Sequence, residues 1–361
     1  MSMHRLDDFK ASKAVQFGRD APADDVERLL SQAEERIGDV PALLALAEVT
    51  GRTAPDPGER GTVRLWEMLA SLAAVDVAAA RVFEPHLDAG AILKQAGQQA
   101  LFHGTWGVFA AEGPGHLLEA RDCGQSAPPE AGVTLSGSKP WCSLAGHLDH
   151  AIVTAKSQSG SRQAFAVDLR SPGVQVEEPL WISHGLREIP SGTVHFTAVP
   201  AVPVGEPGWY FERPGFAWGG IGVAACWLGG AVGLLRTFKD ALSRREPDQI
   251  ALSGLGEADR LLASGFELLR GAAAGIDDGT LVDREGNNDA WAHALRVRGN
   301  VAAIVERIQE TVGENLGPGP LAREERHAKR VSDLRLYVRQ HHGRRDDAQL
   351  GSLVLRGAST W

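Results

Sequence analysis

The chain has 361 residues, 43% hydrophobic and 23% charged, an ordinary globular composition with enough length for a substantial core in two or three domains. Its formal charge of −9 speaks against a nucleic-acid partner, which would need a basic face, and no run of five like charges offers an interaction tail. Cys123, Cys142 and Cys226 are far apart and form no CxxC pair, so neither a zinc site nor a disulfide framework is expected; the thiols read as reduced and mostly buried. The opening MSMHRLDDFKASK lacks the apolar core of a secretory signal, and the expected location is the cytoplasm.

In chain order, composition favours helix over 24–48, with Pro41 in the first turn of a second short helix. Residues 51–61, GRTAPDPGERG, form a loop. A longer helix follows, because Val63, Trp66, Ala70, Ala73, Val77 and Ala80 recur every three or four residues. It is expected to break at Pro85, with a further short helix over 87–95. From Gln98 to Pro203 a period of two takes over: Phe165, Val167 and Leu169 alternate, as do Val174 and Val176, and Val194 and Phe196. Turn residues at Gly132, Ser136-Gly137, Ser159-Gly160, Ser171-Pro172-Gly173 and Ser191-Gly192 separate five or more short strands, the pattern of a small antiparallel barrel or sandwich.

After Pro203 the pattern is helical again. Residues 214–235 carry no charge between Arg213 and Arg236, and as a helix would be roughly 33 Å long, enough to cross a bilayer. The flanks lack a Lys/Arg cluster, the run holds seven glycines, including Gly215-x-x-x-Gly219, and each later helix is amphipathic and needs an apolar partner. A buried helix extending to Ser243 is therefore expected, with no membrane span. Further helices are expected over 256–274, over 289–316 with Val301, Ile304, Val305, Ile308 and Val312 inward, and over 323–340 with Val331, Leu334 and Val338 inward. Gly317-Pro318-Gly319-Pro320 stops the third. The expected architecture is α+β: an N-terminal helical domain over 1–97, a small antiparallel β-barrel over 98–205 and a C-terminal four-helix bundle over 206–361.

Residues 133–155, VTLSGSKPWCSLAGHLDHAIVTA, place Gly137, Lys139, Trp141 and Ser143 in a strand, a Gly turn and Lys-x-Trp-x-Ser ahead of another strand. This resembles the middle domain of the acyl-CoA dehydrogenase family. The segments 63–95, 185–204 and 299–319 resemble other parts of that family in the right order. The resemblance implies FAD, held without the GxGxxG of a Rossmann fold, and a homodimer or homotetramer in which the cofactor lies partly against a neighbouring subunit. It makes Trp141 the aromatic wall for the flavin ring and the Ser143 hydroxyl a donor to its N5/O4 edge. As plain structural residues the same two would pack a strand and cap a turn. Arg244 or Arg245 lies near the place of a family arginine that reaches the FAD pyrophosphate, although Glu246-Pro247-Asp248 follows where the family has Phe-Gly. Gly317 and Gly319 lie near a family turn that touches the neighbour's FAD.

The departures bear on the reaction. The family abstracts an α proton with a carboxylate after the last bundle helix, and the matching segment, DLRLYVRQHHGRRD at 333–346, has no Glu; His341 or His342 falls there. Where some relatives place a base on the first bundle helix, this chain has Arg236-Thr237-Phe238-Lys239, with Asp240 out of register. The expected function is FAD-dependent oxidation of the CH–CH group of an acyl thioester, the electron acceptor being unidentified. The alternatives are a flavin-dependent monooxygenase of the same fold, with His341 or His342 assisting oxygen activation, or a non-catalytic scaffold. His147-x-x-His150 has a metal-like spacing but lies in a turn leading into a strand, and no metal is expected.

Overall fold

The computed structural model describes residues 13–18, 24–122, 132–178, 180–244, 246–281 and 289–358. Four helices open it: α1 (Asp24–Glu34), α2 (Val40–Gly51), α3 (Thr62–Val75) and α4 (Val77–Gln95). Asp39 caps α2 by accepting from the Ala42 amide at 3.0 Å, and Pro41 sits in the first turn as expected. The expected break at Pro85 does not occur. The interruption lies nine residues earlier at Asp76, whose extended backbone (φ −153°) ends α3 and whose carboxylate caps α4 through the Ala79 amide. Pro85 is carried inside α4, where its missing N–H leaves the Arg81 carbonyl without its helical donor.

Among the described residues seven strands follow: β1 (Trp106–Phe109), β2 (Leu118–Asp122), β3 (Val133–Ser143), β4 (His150–Lys156), β5 (Arg162–Asp168), β6 (Val174–Val176) and β7 (Ser191–Val204). They run in the order β1-β4-β2-β3-β7-β5, and a β4–β5 pairing closes the barrel, with β6 added on β7. The barrel is mixed, where the sequence suggested a purely antiparallel one: β1 and β2 both lie parallel to β4, sharing one of its edges end to end. That arrangement covers backbone groups an open edge would expose. In β4, Ala151–Ala155 are all buried, because one side faces the barrel interior while Ile152 meets Ala89, Ile92 and Leu93 of α4. A strand buried on both faces loses its alternation.

The C-terminal half holds α5 (Trp209–Glu212), α6 (Pro214–Ser243), α7 (Gln249–Asp277), α8 (Asp289–Leu316), α9 (Pro318–Arg323), α10 (Glu325–Tyr337) and α11 (Arg344–Leu355). The apolar run is α6, and it is buried as a core helix is. It packs against α3 so tightly that a Cβ on Gly229 would lie 2.1 Å from the Ala70 carbonyl oxygen. Helix α7 begins earlier than expected, capped by Asp248 on the Ala251 amide at 2.8 Å. Helix α11, for which the sequence reading had no element, rests on α8 through Leu353, Ala292 and Leu295.

A buried ionic cluster ties these parts together. Lys329 on α10 meets Asp76 at 3.0 Å, Asp333 within its own helix, and Glu188, from the segment before β7, at 3.4 Å. Asp333 also accepts from the Leu186 amide at 2.6 Å. Beside it, Arg330 donates to the Ala74 and Val75 carbonyls at 3.1 Å each, satisfying the C-terminal end of α3.

Because nothing can yield at the α3–α6 contact without moving backbone, Gly229→Val is expected to destabilise the chain by roughly 1–3 kcal/mol or more in urea denaturation. Gly271→Ala is the control: on α7 its Cβ would meet nothing within 4 Å, and a gain of up to about 1 kcal/mol is expected.

Candidate functional site

The end of β3 departs from regular strand geometry for a local reason. The Lys139 side chain turns inward, its Nζ donating to the Thr154 carbonyl at 2.7 Å and to Thr154 Oγ1 at 2.9 Å. Cys142 is buried as well, and the register against β7 shifts between these two residues. Trp141, caught between them, takes a left-handed backbone (φ 61°) and stands outward with 61% of its surface exposed. A left-handed tryptophan is uncommon and costs conformational energy. An indole face held open beside a polar residue is a fit surface for a flat conjugated ring.

Ser143 closes β3 opposite Ser191 of β7, and their hydroxyls lie 2.7 Å apart. Arg81 Nη2 on α4 donates to Ser143 Oγ at 3.4 Å, and Arg81 Nη1 pairs with Glu84 at 3.1 Å. The Tyr337 hydroxyl donates to Glu84 at 3.5 Å. Burial pushes the Glu84 carboxyl up to about 7 although Arg81 pulls the other way. Burial likewise raises the Tyr337 hydroxyl and the Cys226 thiol beside it, and takes the Cys142 thiol to about 12. Both thiols are free, as expected; Cys123 lies outside the described residues.

On the far side of Tyr337, the buried Arg298 of α8 stacks over Trp227 at 4.9 Å. It donates to the Gly220 carbonyl at 2.6 Å and to the Gln340 carbonyl at 2.9 Å, which anchors the segment carrying the two histidines. The structure separates these two. The His341 side chain is 14% exposed and its Nδ1 lies 3.0 Å from Asp346 Oδ2, whereas His342 is 64% exposed. The same Asp346 oxygen accepts the His342 amide at 3.1 Å. With Nδ1–H donating to Asp346, Nε2 of His341 is left as the group that can take a proton.

Three other expected residues fall elsewhere. Arg245 lies outside the described residues, and its neighbour Arg244 is exposed at the end of α6. Gly317 adopts a positive φ of 66° between α8 and α9, and Gly319 lies within α9. Both lie beyond the end of α8, which is itself about 27 Å along that helix from Arg298. Among the described residues no His, Cys, Asp and Glu group could hold a metal ion. A cleft of about 590 Å³ lined by Glu112, His116, Ser138, Lys139, Pro140 and Arg162 opens beside Trp141's strand. A larger one, about 830 Å³ between α1, α2, α3 and α7, contains none of the site residues. Arg81, Glu84, Arg298, Tyr337 and Asp346 were missed from sequence. The signal available was two charges three apart in the otherwise apolar stretch 77–85.

Helices packed on both sides of a small closed barrel, with an open tryptophan and a hydroxyl at the barrel's rim facing a polar cluster in the bundle, define the acyl-CoA dehydrogenase fold. Residues 111–199 match the family model for the acyl-CoA dehydrogenase middle domain. Butyryl-CoA dehydrogenase from Megasphaera elsdenii is 17% identical, with 94% of this chain and all (100%) of that one covered at a TM-score of 0.76. KijD3 in complex with FMN and dTDP-3-amino-2,3,6-trideoxy-4-keto-3-methyl-D-glucose is 19% identical over 92% of this chain and 91% of that one, TM-score 0.75. TdsC from Paenibacillus sp. A11-2, with FMN and indole, is 18% identical over 92% and 96%, TM-score 0.74. At these identities the likeness is one of fold. No curated protein matches the chain.

The raised Glu84 carboxyl has a consequence for stability. Its neutral form is the one the folded chain prefers, so its contribution is complete below the ordinary value of 4.5 and is lost as pH rises toward 7. Glu84→Gln, which mimics the neutral acid, is expected to flatten the fall in unfolding free energy across that window. At most about 3 kcal/mol is at stake, measured by urea denaturation at a series of pH values.

Proposed function

We propose that the chain is a flavin-dependent oxidoreductase acting on a compact polar organic molecule, with His341 and Asp346 as its acid–base pair. Trp141 holds one face of the flavin ring and Ser143 donates to its N5/O4 edge; the bound flavin supplies the redox chemistry. That neighbours of this fold bind FMN or FADH2 supports a flavin without choosing between FMN and the expected FAD. The open face of Trp141 also suits a homodimer or homotetramer, in which a second copy covers what one chain leaves exposed.

The observation that carries the reading is the His341–Asp346 pair, at 3.0 Å, where a dehydrogenase of this family has a carboxylate. An imidazole oriented by a carboxylate through Nδ1 presents Nε2 for proton transfer. Arg81, Glu84, Arg298 and Tyr337 come together between α4, α6, α8 and α10, and a long aliphatic chain laid against them would strip these groups of partners at a cost in free energy. The pair and the polar cluster favour a monooxygenase in which His341 manages the proton that accompanies oxygen reduction. The second reading is CH–CH dehydrogenation of an acyl thioester. One observation favours it: Glu84 sits near neutrality, as a general base should.

The purified protein is expected to bind flavin with a visible spectrum. Trp141→Ala is expected to weaken that binding at least tenfold, by about 1.4 kcal/mol, with the apoprotein melting temperature unchanged because the ring is exposed. Protein without flavin affinity would return the chain to the scaffold reading. An anaerobic panel of acyl-CoAs is expected to leave the flavin oxidised, whereas the rate at which oxygen reoxidises the reduced protein is expected to change about tenfold in His341→Gln, a loss of about 1.4 kcal/mol. Bleaching by an acyl-CoA would move the assignment to the dehydrogenase.

A further inference from the structure

Arg81 has no part in the family resemblance drawn above, yet it is the charged group nearest the hydroxyl assigned to the flavin edge. A serine hydroxyl has one hydrogen and two lone pairs. In this structure Arg81 Nη2 lies 3.4 Å from Ser143 Oγ and can only donate to it. Ser191 Oγ lies 2.7 Å from the same oxygen and 3.4 Å from the Ile189 carbonyl. Either hydroxyl can donate across the 2.7 Å contact, and Ser143 can donate outward to a bound ring when the Ser191 hydrogen is turned to it. In that arrangement both lone pairs of Ser143 are occupied, and its own hydrogen leaves the pair of serines.

Arg81 is itself fixed from two further sides. Glu84 holds Nη1 at 3.1 Å, and the Tyr337 ring lies beneath the guanidinium, 5.6 Å from centroid to carbon. Both side chains of the ion pair are only 12% exposed. A cation held at reduced solvent access polarises its neighbours more strongly than one in water.

We propose that Arg81 is a positioning and charge-tuning residue for the flavin: it turns the Ser143 hydrogen outward to the ring's N5/O4 edge and polarises that donor in favour of the reduced ring. The inference rests on the flavin reading above and goes beyond it, because it assigns control of the redox balance to the α4 helix. The reduced ring carries more negative charge at that edge, so a polarised donor there is worth more after reduction than before.

The test is the two-electron midpoint potential of the flavin-loaded full-length protein, measured by dye equilibration. Arg81→Gln is expected to lower the affinity for reduced relative to oxidised flavin about tenfold, a fall of about 30 mV. Ser143→Ala is expected to give a similar fall, and Arg81→Gln added to it a further change of less than threefold, since both act through one hydrogen. An Arg81 that merely supports the fold would weaken both redox states alike and leave the potential where it was. An unchanged potential in Arg81→Gln, or the full tenfold effect persisting on the Ser143→Ala background, overturns the inference while the flavin reading stands. A wild-type protein that binds no flavin overturns both. Should Arg81→Gln not fold, Ser191→Ala carries the test: it removes the second donor and is expected to move the potential in the same direction, and no movement overturns the inference.

Discussion

The ammonium of Lys329 holds the three parts of the chain in register. It is buried among Asp76 from the junction of the N-terminal helices, Glu188 from the barrel and Asp333 from its own helix. Removing a partner from such a cluster leaves a charge uncompensated in a poorly solvated place, which costs several kcal/mol. The cluster therefore acts through geometry more than through net stabilisation: each part must arrive with its own charge or the interior does not close. Asp76 shows how this reaches local structure. Its side chain caps α4 and faces Lys329, and both tasks require the extended backbone that separates α3 from α4.

This explains what the sequence could and could not disclose. The uncharged run became α6, and the stripe from Val301 to Val312 became α8 with the expected ends, because burial along one face is written residue by residue. The break between α3 and α4 depends on a lysine more than 250 positions away, so local reasoning chose Pro85, the nearer and stronger breaker. The β4 strand hid its period because α4 covers its outer side. Helix α11 went unseen because its inward face is narrow and most of its residues are exposed.

The candidate site divides along the same line. Trp141 and Ser143 were legible through Lys-x-Trp-x-Ser, since one inward lysine and one inward cysteine are enough to throw the intervening tryptophan out. Choosing between His341 and His342 needed the fold: Asp346 holds the mostly buried His341 ring at 3.0 Å and meets the exposed His342 ring at 3.4 Å. Arg81 and Glu84 read as an ordinary helical pair until β3 and α10 are brought against them.

The anchoring of the 340–342 segment also says something about when the chain becomes competent. Gln340 is held by a guanidinium that belongs to α8 and that simultaneously grips α6 through Gly220. Those helices come from separate stretches of chain, joined through α7. The histidine next to Gln340 can settle only after α6 and α8 have met with Arg298 between them. A chain whose helices have collapsed without docking in register would be compact and would expose Trp141 as the native one does, yet it would leave His341 without its place beside Asp346.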